Sequence, residues 1–283
     1  MTKIAVLSDV HGNLTALEAV VADIQQQPID ESWFLGDLVL PGYGGNHLFE
    51  LLKQINTTVY LRGNWDEIFL DVLDNPQAVD LNDPEDVYFG ILAKYLFEEL
   101  DEQYLTQMRE APIATTVQIN GLQIGLSHNT SMQNYGRNLV SDADTTNLDQ
   151  LFNDQALDVA IYGHIHHQLM RYSHADQLIF NPGSVGSPYY NYAAFQHDRR
   201  AQYMILDIDD AGIGDMQFKK IDYDLQKEAE SGQFVAAPYA DLYQRLILDD
   251  VNPRADVKAL ANYNQGHHYR HELQQFIQTQ HEN

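Results

Sequence analysis

Short apolar runs alternate with segments of helical periodicity over the first third of the chain. The run at residues 4–8 predicts a buried strand, and similar runs at 33–35 and 59–61 predict two more. Apolar residues at helical spacing predict one helix after Asn13, a favoured N-cap residue, and another over residues 46–55. This alternation predicts neighbouring parallel strands that are joined by right-handed crossovers.

The alternation is interrupted at residues 67–112, where apolar spacing over 91–105 predicts a helical insertion. Period-two patterning returns at 114–119 and 122–127, and Asn120-Gly121 between them predicts a hairpin. Further strands are predicted at 158–162, 169–172, 178–180, 203–208 and 216–221. The pattern after Tyr223 is helical. We therefore expect an α/β domain over residues 1–223, with its insertion at about 67–112, and a helical C-terminal extension over residues 224–283 packed on it.

The composition narrows the chemistry that this domain can perform. The chain has 283 residues, of which 44% are hydrophobic, so it can bury a substantial core. It contains no cysteine, which excludes disulfides, thiolate metal sites and a cysteine nucleophile. No apolar stretch has the length of a signal-peptide core or a membrane span, so we expect a cytoplasmic protein without a membrane partner.

The charge balance limits the partners. The chain has 16 Lys and Arg against 41 Asp and Glu, a net charge of −25. Such a surface repels phosphate backbones, so long nucleic acids are poor partners. Small phosphorylated substrates are repelled too, unless bound divalent metals supply a local positive centre. The sequence leaves the oligomeric state, including a homo-oligomer, open.

Polar side chains follow the predicted strands at their carboxyl ends, where open α/β sheets bind ligands. Seven of them lie on five separate segments, a distribution that core packing does not explain well. The alternative is that these side chains are structural polar groups that hydrogen-bond to one another in the core. We disfavour it because so many buried polar groups need partners, and bound metal ions would supply them. The seven are Asp9, His11, Asp37, Asn64, His128, His164 and His166.

These carboxylate, amide and imidazole groups suit Mn, Fe, Zn or Co. Seven ligands are too many for one tetrahedral zinc but fit two ions that share a bridging carboxylate. Two ions about 3.5–4 Å apart can hold a hydroxide and clamp phosphoryl oxygens. We therefore predict a metal-dependent hydrolase of phosphoric esters or anhydrides, in which a metal-bound hydroxide attacks phosphorus.

The same residues form a pattern that resembles a known family. The segments Asp9-Val10-His11, Gly36-Asp37, Gly63-Asn64, His128 and Gly163-His164-Ile165-His166 resemble the five blocks of the calcineurin-like metallophosphoesterases. The resemblance spans roughly residues 1–223. It implies a four-layer α/β/β/α sandwich, with two sheets face to face and helices outside.

The resemblance also implies a role for each ligand, and we favour Mn or Fe as the two ions. Asp37 would bridge them, and Asp37, Asn64 and Asp66 are the expected catalytic residues. Asp66 either orients a neighbouring ligand or helps with proton transfer, and the sequence does not decide between these roles. The ligands implied for one ion are Asp9, His11 and His166, and those for the other are Asn64, His128 and His164.

The chain departs from the family at Trp65. Members with monoesterase or protein-phosphatase activity usually have a histidine here, which serves as the general acid for the leaving group. Tryptophan cannot donate a proton at neutral pH, and the loss of such an acid typically costs 10²–10⁴-fold in rate. We therefore favour phosphodiesters or nucleoside polyphosphates, such as diadenosine tetraphosphate, because their leaving groups need less protonation.

A narrower resemblance points the same way. Trp65, the segment after the first strand and Arg199-Arg200-Ala201-Gln202-Tyr203-Met204 are similar to streptococcal-type asymmetric diadenosine tetraphosphate hydrolases. The candidates for substrate binding are Asn13, Trp65 and Arg137; Asn13 is also a helix cap, and the alternative for Trp65 is core packing. Two alternatives stay open: a phosphomonoesterase, including a Ser/Thr protein phosphatase, and a non-catalytic binding scaffold on the same fold.

Overall fold

A computed structural model describes residues 1–152 and 156–281. Within these ranges the chain forms ten strands and ten α-helices. The strands are β1 (Thr2–Leu7), β2 (Glu31–Phe34), β3 (Thr57–Tyr60), β4 (Ala114–Ile119), β5 (Leu122–Ser127), β6 (Val159–Tyr162), β7 (Leu169–Tyr172), β8 (Leu178–Asn181), β9 (Ala201–Asp209) and β10 (Gly212–Ile221). The helices are α1 (Leu14–Ile24), α2 (Asn46–Gln54), α3 (Asn64–Asp74), α4 (Pro84–Glu99), α5 (Glu102–Glu110), α6 (Thr145–Leu148), α7 (Leu225–Phe234), α8 (Ala240–Asp249), α9 (Val257–Gly266) and α10 (Tyr269–His281).

The strands form two mixed sheets of five strands each. The first has the order β10-β9-β1-β2-β3, with β1, β2 and β3 parallel and β9 antiparallel to both of its neighbours. The second has the order β4-β5-β6-β8-β7, with β5, β6 and β8 parallel. The predicted parallel strands and the predicted hairpin between β4 and β5 are confirmed.

The two sheets pack face to face, with helices outside. Alternate residues of β1 point to opposite sides: Ile4 and Val6 meet Ile124 and Ile161 of the second sheet, whereas Leu7 packs under the helices. Such strands are buried on both faces and therefore consist of almost uninterrupted apolar residues. The predicted four-layer α/β/β/α sandwich is confirmed.

The helical insertion differs from its prediction in two places. The stretch predicted as helical over residues 91–105 is two helices, because α4 ends at Glu99 and α5 begins at Glu102. The side chain of Asn46 stabilises this break, since it donates to the carbonyl of Glu99 and accepts the backbone N–H of Asp101. In addition, α3, the helix that leads into the insertion, begins at Asn64, one of the predicted ligands, rather than after residue 67.

The helices of the C-terminal extension contact both the core and the insertion. Helix α7 contacts α1, and α9 and α10 contact α4. Buried Glu228 of α7 accepts the backbone N–H of Thr15 and the hydroxyl of Tyr243. These contacts hold α8 against the start of α1, beside the carboxyl end of β1. The boundary at residue 223 stays a prediction.

No helix in the described part of the chain has the length and apolar character needed to cross a membrane.

Candidate metal centre

The carboxyl ends of five strands bring the predicted ligands together. Two clusters form, and the ligand atoms within each lie no more than 4.8 Å apart. The amide oxygen of Asn64 adjoins the second cluster, 3.2 Å from Nε2 of His128. One cluster consists of Asp9, His11 and His166, and the other of Asp37, His128 and His164.

The backbone at these positions adopts an unusual conformation. Five of the seven candidate ligands have φ between 53° and 65°, the left-handed region that side chains other than glycine rarely enter. Such strain, of order 1–3 kcal/mol per residue, persists only where the surroundings impose it, and it is concentrated at functional sites. Hydrogen bonds between the loops that follow the strands impose it here, for example from the N–H of Asp9 to the carbonyl of Gly36. The five are Asp9, His11, Asp37, His164 and His166.

Backbone carbonyls fix the orientation of the imidazoles. In three of the histidines Nδ1 donates to a carbonyl oxygen, which leaves Nε2 directed into the site. The pairs are His11 with Leu40 at 3.1 Å, His128 with Leu35 at 2.7 Å and His166 with Ser187 at 2.6 Å. His164 is reversed, because its Nε2 contacts the carbonyl of Gly136 at 2.9 Å and its Nδ1 is therefore the free nitrogen.

Asp37 lies between the two clusters. Its Oδ1 accepts the backbone N–H of Trp65, and its Oδ2 is 3.6 Å from Nε2 of His11 and 3.4 Å from Nε2 of His128. One carboxylate oxygen thus faces one imidazole from each cluster. This is the position that a bridging ligand requires.

Two features of the site call for a positive charge between the side chains. The Nε2 atoms of His11 and His166 lie 3.0 Å apart although both rings donate through Nδ1, so a proton or a cation must separate their lone pairs. Oδ1 of buried Asp9 accepts no hydrogen bond from the described residues but lies 3.2 Å from Nε2 of His166, so a proton or a cation must separate these two atoms as well. Buried charged groups of this kind are paired or coordinate metals. The donor set therefore fits two divalent cations.

The titration of the histidines reflects these surroundings. Burial, followed by the charge of His128, lowers the pKa of His164 to about 4, so its lone pair is available at neutral pH. Burial also opposes protonation of His128, but the carboxylates of Asp37 and Asp9 outweigh it and raise its pKa to about 9. At neutral pH and without metal, His128 therefore carries a proton on the nitrogen that faces the site.

Metal binding should consequently release a proton and strengthen as the pH rises. His128 must lose its proton to coordinate, and so must His166, whose pKa is raised because the carboxylate of Asp9 outweighs the effect of burial. The affinity for Mn²⁺ should therefore increase at least about tenfold per pH unit up to about pH 9 and then level off. Calorimetry in buffers of different ionisation enthalpy measures both quantities. An exposed histidine such as His174 should not contribute, so His174→Gln is the control. Affinity that is constant between pH 6 and 8 would contradict this assignment.

Asp66 is buried behind the site rather than facing it. Its carboxylate accepts four backbone N–H groups, two on each oxygen. Burial, followed by the charge of Asp37, raises its pKa to about 6, while the hydrogen bonds from the backbone oppose this rise. The geometry favours the orienting role over proton transfer. The four donors are the N–H groups of Asp37, Leu38, Val39 and Gly63.

Gly63 and Gly36 lie where the loops after β2 and β3 contact each other, and neither position has room for a side chain. A Cβ atom at Gly63 would overlap Oδ1 of Asp37, and one at Gly36 would lie 2.9 Å from Nδ1 of His128. Glycine at these two positions lets the loops after β2 and β3 approach each other. The candidate bridging carboxylate depends on that approach.

The three predicted substrate-binding residues have different surroundings. The N-cap role of Asn13 is confirmed: its oxygen accepts the N–H of Ala16 and its amide donates to Gly186 and Tyr223. Its side chain is thus fully used within the protein. Arg137 is exposed in the loop beside His164. A role in substrate binding stays a prediction for both.

Trp65 lines a cleft above the first cluster. Its ring meets His11 edge-on, with centroids 5.5 Å apart, and meets Phe89 edge-on on another side. The guanidinium of Arg254 lies 5.3 Å from the Trp65 ring centroid. The ring is half-buried, and stacking on a substrate base stays a prediction.

The cleft wall opposite the cluster comes from a part of the chain where the sequence showed no chemistry. Residues of α8 and of the 3-10 helix Pro253–Ala255 contribute to it. No motif marks them, and Arg254 differs from a surface arginine only through its place in the fold. The contributors from the extension are Tyr243, Leu246, Ile247, Asn252, Pro253 and Arg254.

Comparison with known proteins agrees with this architecture. Residues 2–211 match the model of the calcineurin-like phosphoesterase superfamily domain. An uncharacterized protein of Methanocaldococcus jannaschii is 28% identical over 242 residues, which cover 80% of this chain and 90% of that protein.

Two solved structures share the fold. A metallophosphoesterase from Sphaerobacter thermophilus superimposes with a TM-score of 0.64 at 20% identity, covering 88% of this chain and 100% of that one. A hypothetical protein from Pyrococcus horikoshii superimposes with a TM-score of 0.68 at 17% identity, covering 87% of this chain and 98% of that one.

Proposed function

The chain belongs to the calcineurin-like phosphoesterase superfamily, and we propose that it is a two-metal hydrolase of phosphodiesters or nucleoside polyphosphates such as diadenosine tetraphosphate. The family implies divalent metal ions, and the two side-chain clusters fit them. Manganese or iron as the metals, and a cytoplasmic location, stay predictions.

Bound divalent ions would supply Lewis-acid polarisation of the phosphoryl oxygens and a nucleophile derived from water. The protein's own groups hold this centre in place. The carbonyls behind the histidines fix each imidazole, and Asp66 fixes the loop that carries Asp37. Such preorganisation means that little rearrangement accompanies the reaction.

The choice of substrate rests on one observation: the described cleft residues offer no suitable general acid. Trp65 occupies the position where a histidine would serve. The hydroxyl of Tyr243 donates its hydrogen bond to Glu228. Burial raises the pKa of Tyr88 and of Tyr243 above the ordinary tyrosine value, which makes both hydroxyls weaker acids. His11 and His166 face the cluster and donate their Nδ1 protons to carbonyls. A leaving group that needs little protonation therefore suits this cleft.

A substrate panel with Mn²⁺-loaded protein tests the proposal. We expect turnover of diadenosine tetraphosphate and bis(p-nitrophenyl) phosphate, with kcat/KM for a phosphoserine peptide about a hundredfold lower because its alkoxide leaving group lacks an acid. Faster hydrolysis of the peptide would instead support a protein phosphatase. Failure to retain any transition metal after supplementation would support the binding scaffold.

A further inference from the structure

The cleft carries two guanidinium groups, which differ in how far the protein uses them. Arg199 donates to the carbonyls of Leu246 and Ile247 and forms an ion pair with Asp250 at 3.0 Å. Its side chain is only 14% exposed. Arg199 therefore anchors the end of α8 to the domain and has little capacity left for a ligand.

Arg254 has most of its capacity free. Among the described residues its guanidinium has one charged partner, Glu85, at 3.5 Å, and it donates no side-chain hydrogen bond. It lies over two aromatic rings, 5.3 Å from the centroid of Trp65 and 5.2 Å from that of Phe89. Cation–π contacts of this kind hold the group in place without consuming its five N–H donors.

The position of Arg254 relates it to the candidate metal cluster. Trp65 touches Arg254 on one side and His11 on another, so a single ring separates the guanidinium from the cluster. Both residues line the same cleft as His166. If a ligand placed one phosphoryl group at the cluster, the group bonded to that phosphoryl group would thus lie beside Arg254.

Charge argues for the nature of that next group. The protein carries a net charge of −25, and the two clusters themselves contain Asp9 and Asp37. Metals would neutralise one phosphoryl group, but a second phosphate in the cleft needs its own counter-charge. Arginine binds phosphate through two parallel N–H groups, which favours it over a point charge for this purpose.

We propose that Arg254 binds the phosphate adjacent to the one at the metal clusters and so makes the enzyme selective for phosphoanhydrides over substrates with a single phosphate. This proposal rests on the proposed function and narrows it to one of its two substrate classes. It gives the C-terminal extension a direct part in recognition. Arg254 is then a specificity-determining residue that a search for ligand motifs would miss.

Replacement of Arg254 by glutamine tests the proposal through a comparison of two substrates. In Arg254→Gln, kcat/KM for diadenosine tetraphosphate should fall about tenfold to a hundredfold, because a charge-assisted bidentate contact is lost. Hydrolysis of bis(p-nitrophenyl) phosphate, which has one phosphate, should change by less than about threefold. For diadenosine tetraphosphate, kcat/KM of Arg254→Lys should lie between the values of the wild type and of Arg254→Gln. Arg245→Gln, an equal change of charge at an exposed position of α8, should match the wild type on both substrates.

A binding measurement separates this proposal from the proposed function. Trp33 is buried between the sheets, so tryptophan quenching by a cleft ligand reports on Trp65. For metal-loaded protein, Arg254→Gln should weaken binding of pyrophosphate about tenfold and leave binding of orthophosphate nearly unchanged. Equal effects on both probes, or no effect on either, would overturn the role of Arg254. If the wild type hydrolyses neither substrate, the proposed function fails, and this measurement alone decides the inference.

Discussion

Replacement of Asp37 by asparagine should lower kcat by at least about a thousandfold while leaving the fold intact. Oδ2 of Asp37 lies 3.6 Å from Nε2 of His11 and 3.4 Å from Nε2 of His128, closer to both imidazoles than Oδ1 of Asp9, which lies at 3.8 and 3.9 Å. An amide cannot supply the negative charge that holds two cations together, although it can still accept the N–H of Trp65. Turnover of bis(p-nitrophenyl) phosphate and the metal content of purified protein measure the effect.

The control for this variant is Asp210→Asn, which removes an equal charge from the exposed turn between β9 and β10. It should keep wild-type activity and metal content. Circular dichroism and the melting temperature of Asp37→Asn establish that the fold survives. Full activity in Asp37→Asn would show that the predicted bridging position is wrong.

Replacement of Asp66 by asparagine should destabilise the protein by about 3 kcal/mol. Each carboxylate oxygen accepts two backbone N–H groups, and an amide NH₂ would point its own donors at two of them. Leaving buried donors unsatisfied costs about 1–3 kcal/mol each. Because the affected loop carries Asp37, metal affinity should also fall, by roughly 10–100-fold.

Urea unfolding of metal-free protein measures this change in the free energy of unfolding, and calorimetry measures the change in metal affinity. Asp71→Asn alters an exposed carboxylate one turn further along α3 and serves as the matched control. Loss of activity in Asp66→Asn without loss of stability would point instead to proton transfer, the other role that the sequence left open.

The sequence predicted the parts of the structure that repeat. Alternating apolar runs fixed the strands, since a strand buried on both faces must be apolar almost throughout, as β1 is. Carboxyl ends of parallel strands meet at one edge, so polar residues just beyond them were expected to converge. The structure brings six of the seven together in two clusters and places Asn64 beside the second.

What the sequence did not predict depends on contacts between distant segments. The carbonyl of Leu40 orients His11, and that of Ser187 orients His166, yet a carbonyl carries no signature in its side chain. The break between α4 and α5 depends on Asn46, more than fifty residues earlier in the chain. The place of Arg254 depends on the folding of the whole extension. Local periodicity contains none of this information.

The left-handed backbone conformation at five of the candidate ligands lowers the stability of the fold in exchange for the position of the side chains. Glycine would relax the chain at each of these positions, so the conformational preference of the backbone and the demand for a ligand pull in opposite directions. A lineage released from the need to catalyse would drift toward losing the ligands, with little penalty to its fold. The five ligands therefore stand at positions where the backbone is strained, which a functional requirement at the site explains and the stability of the fold does not.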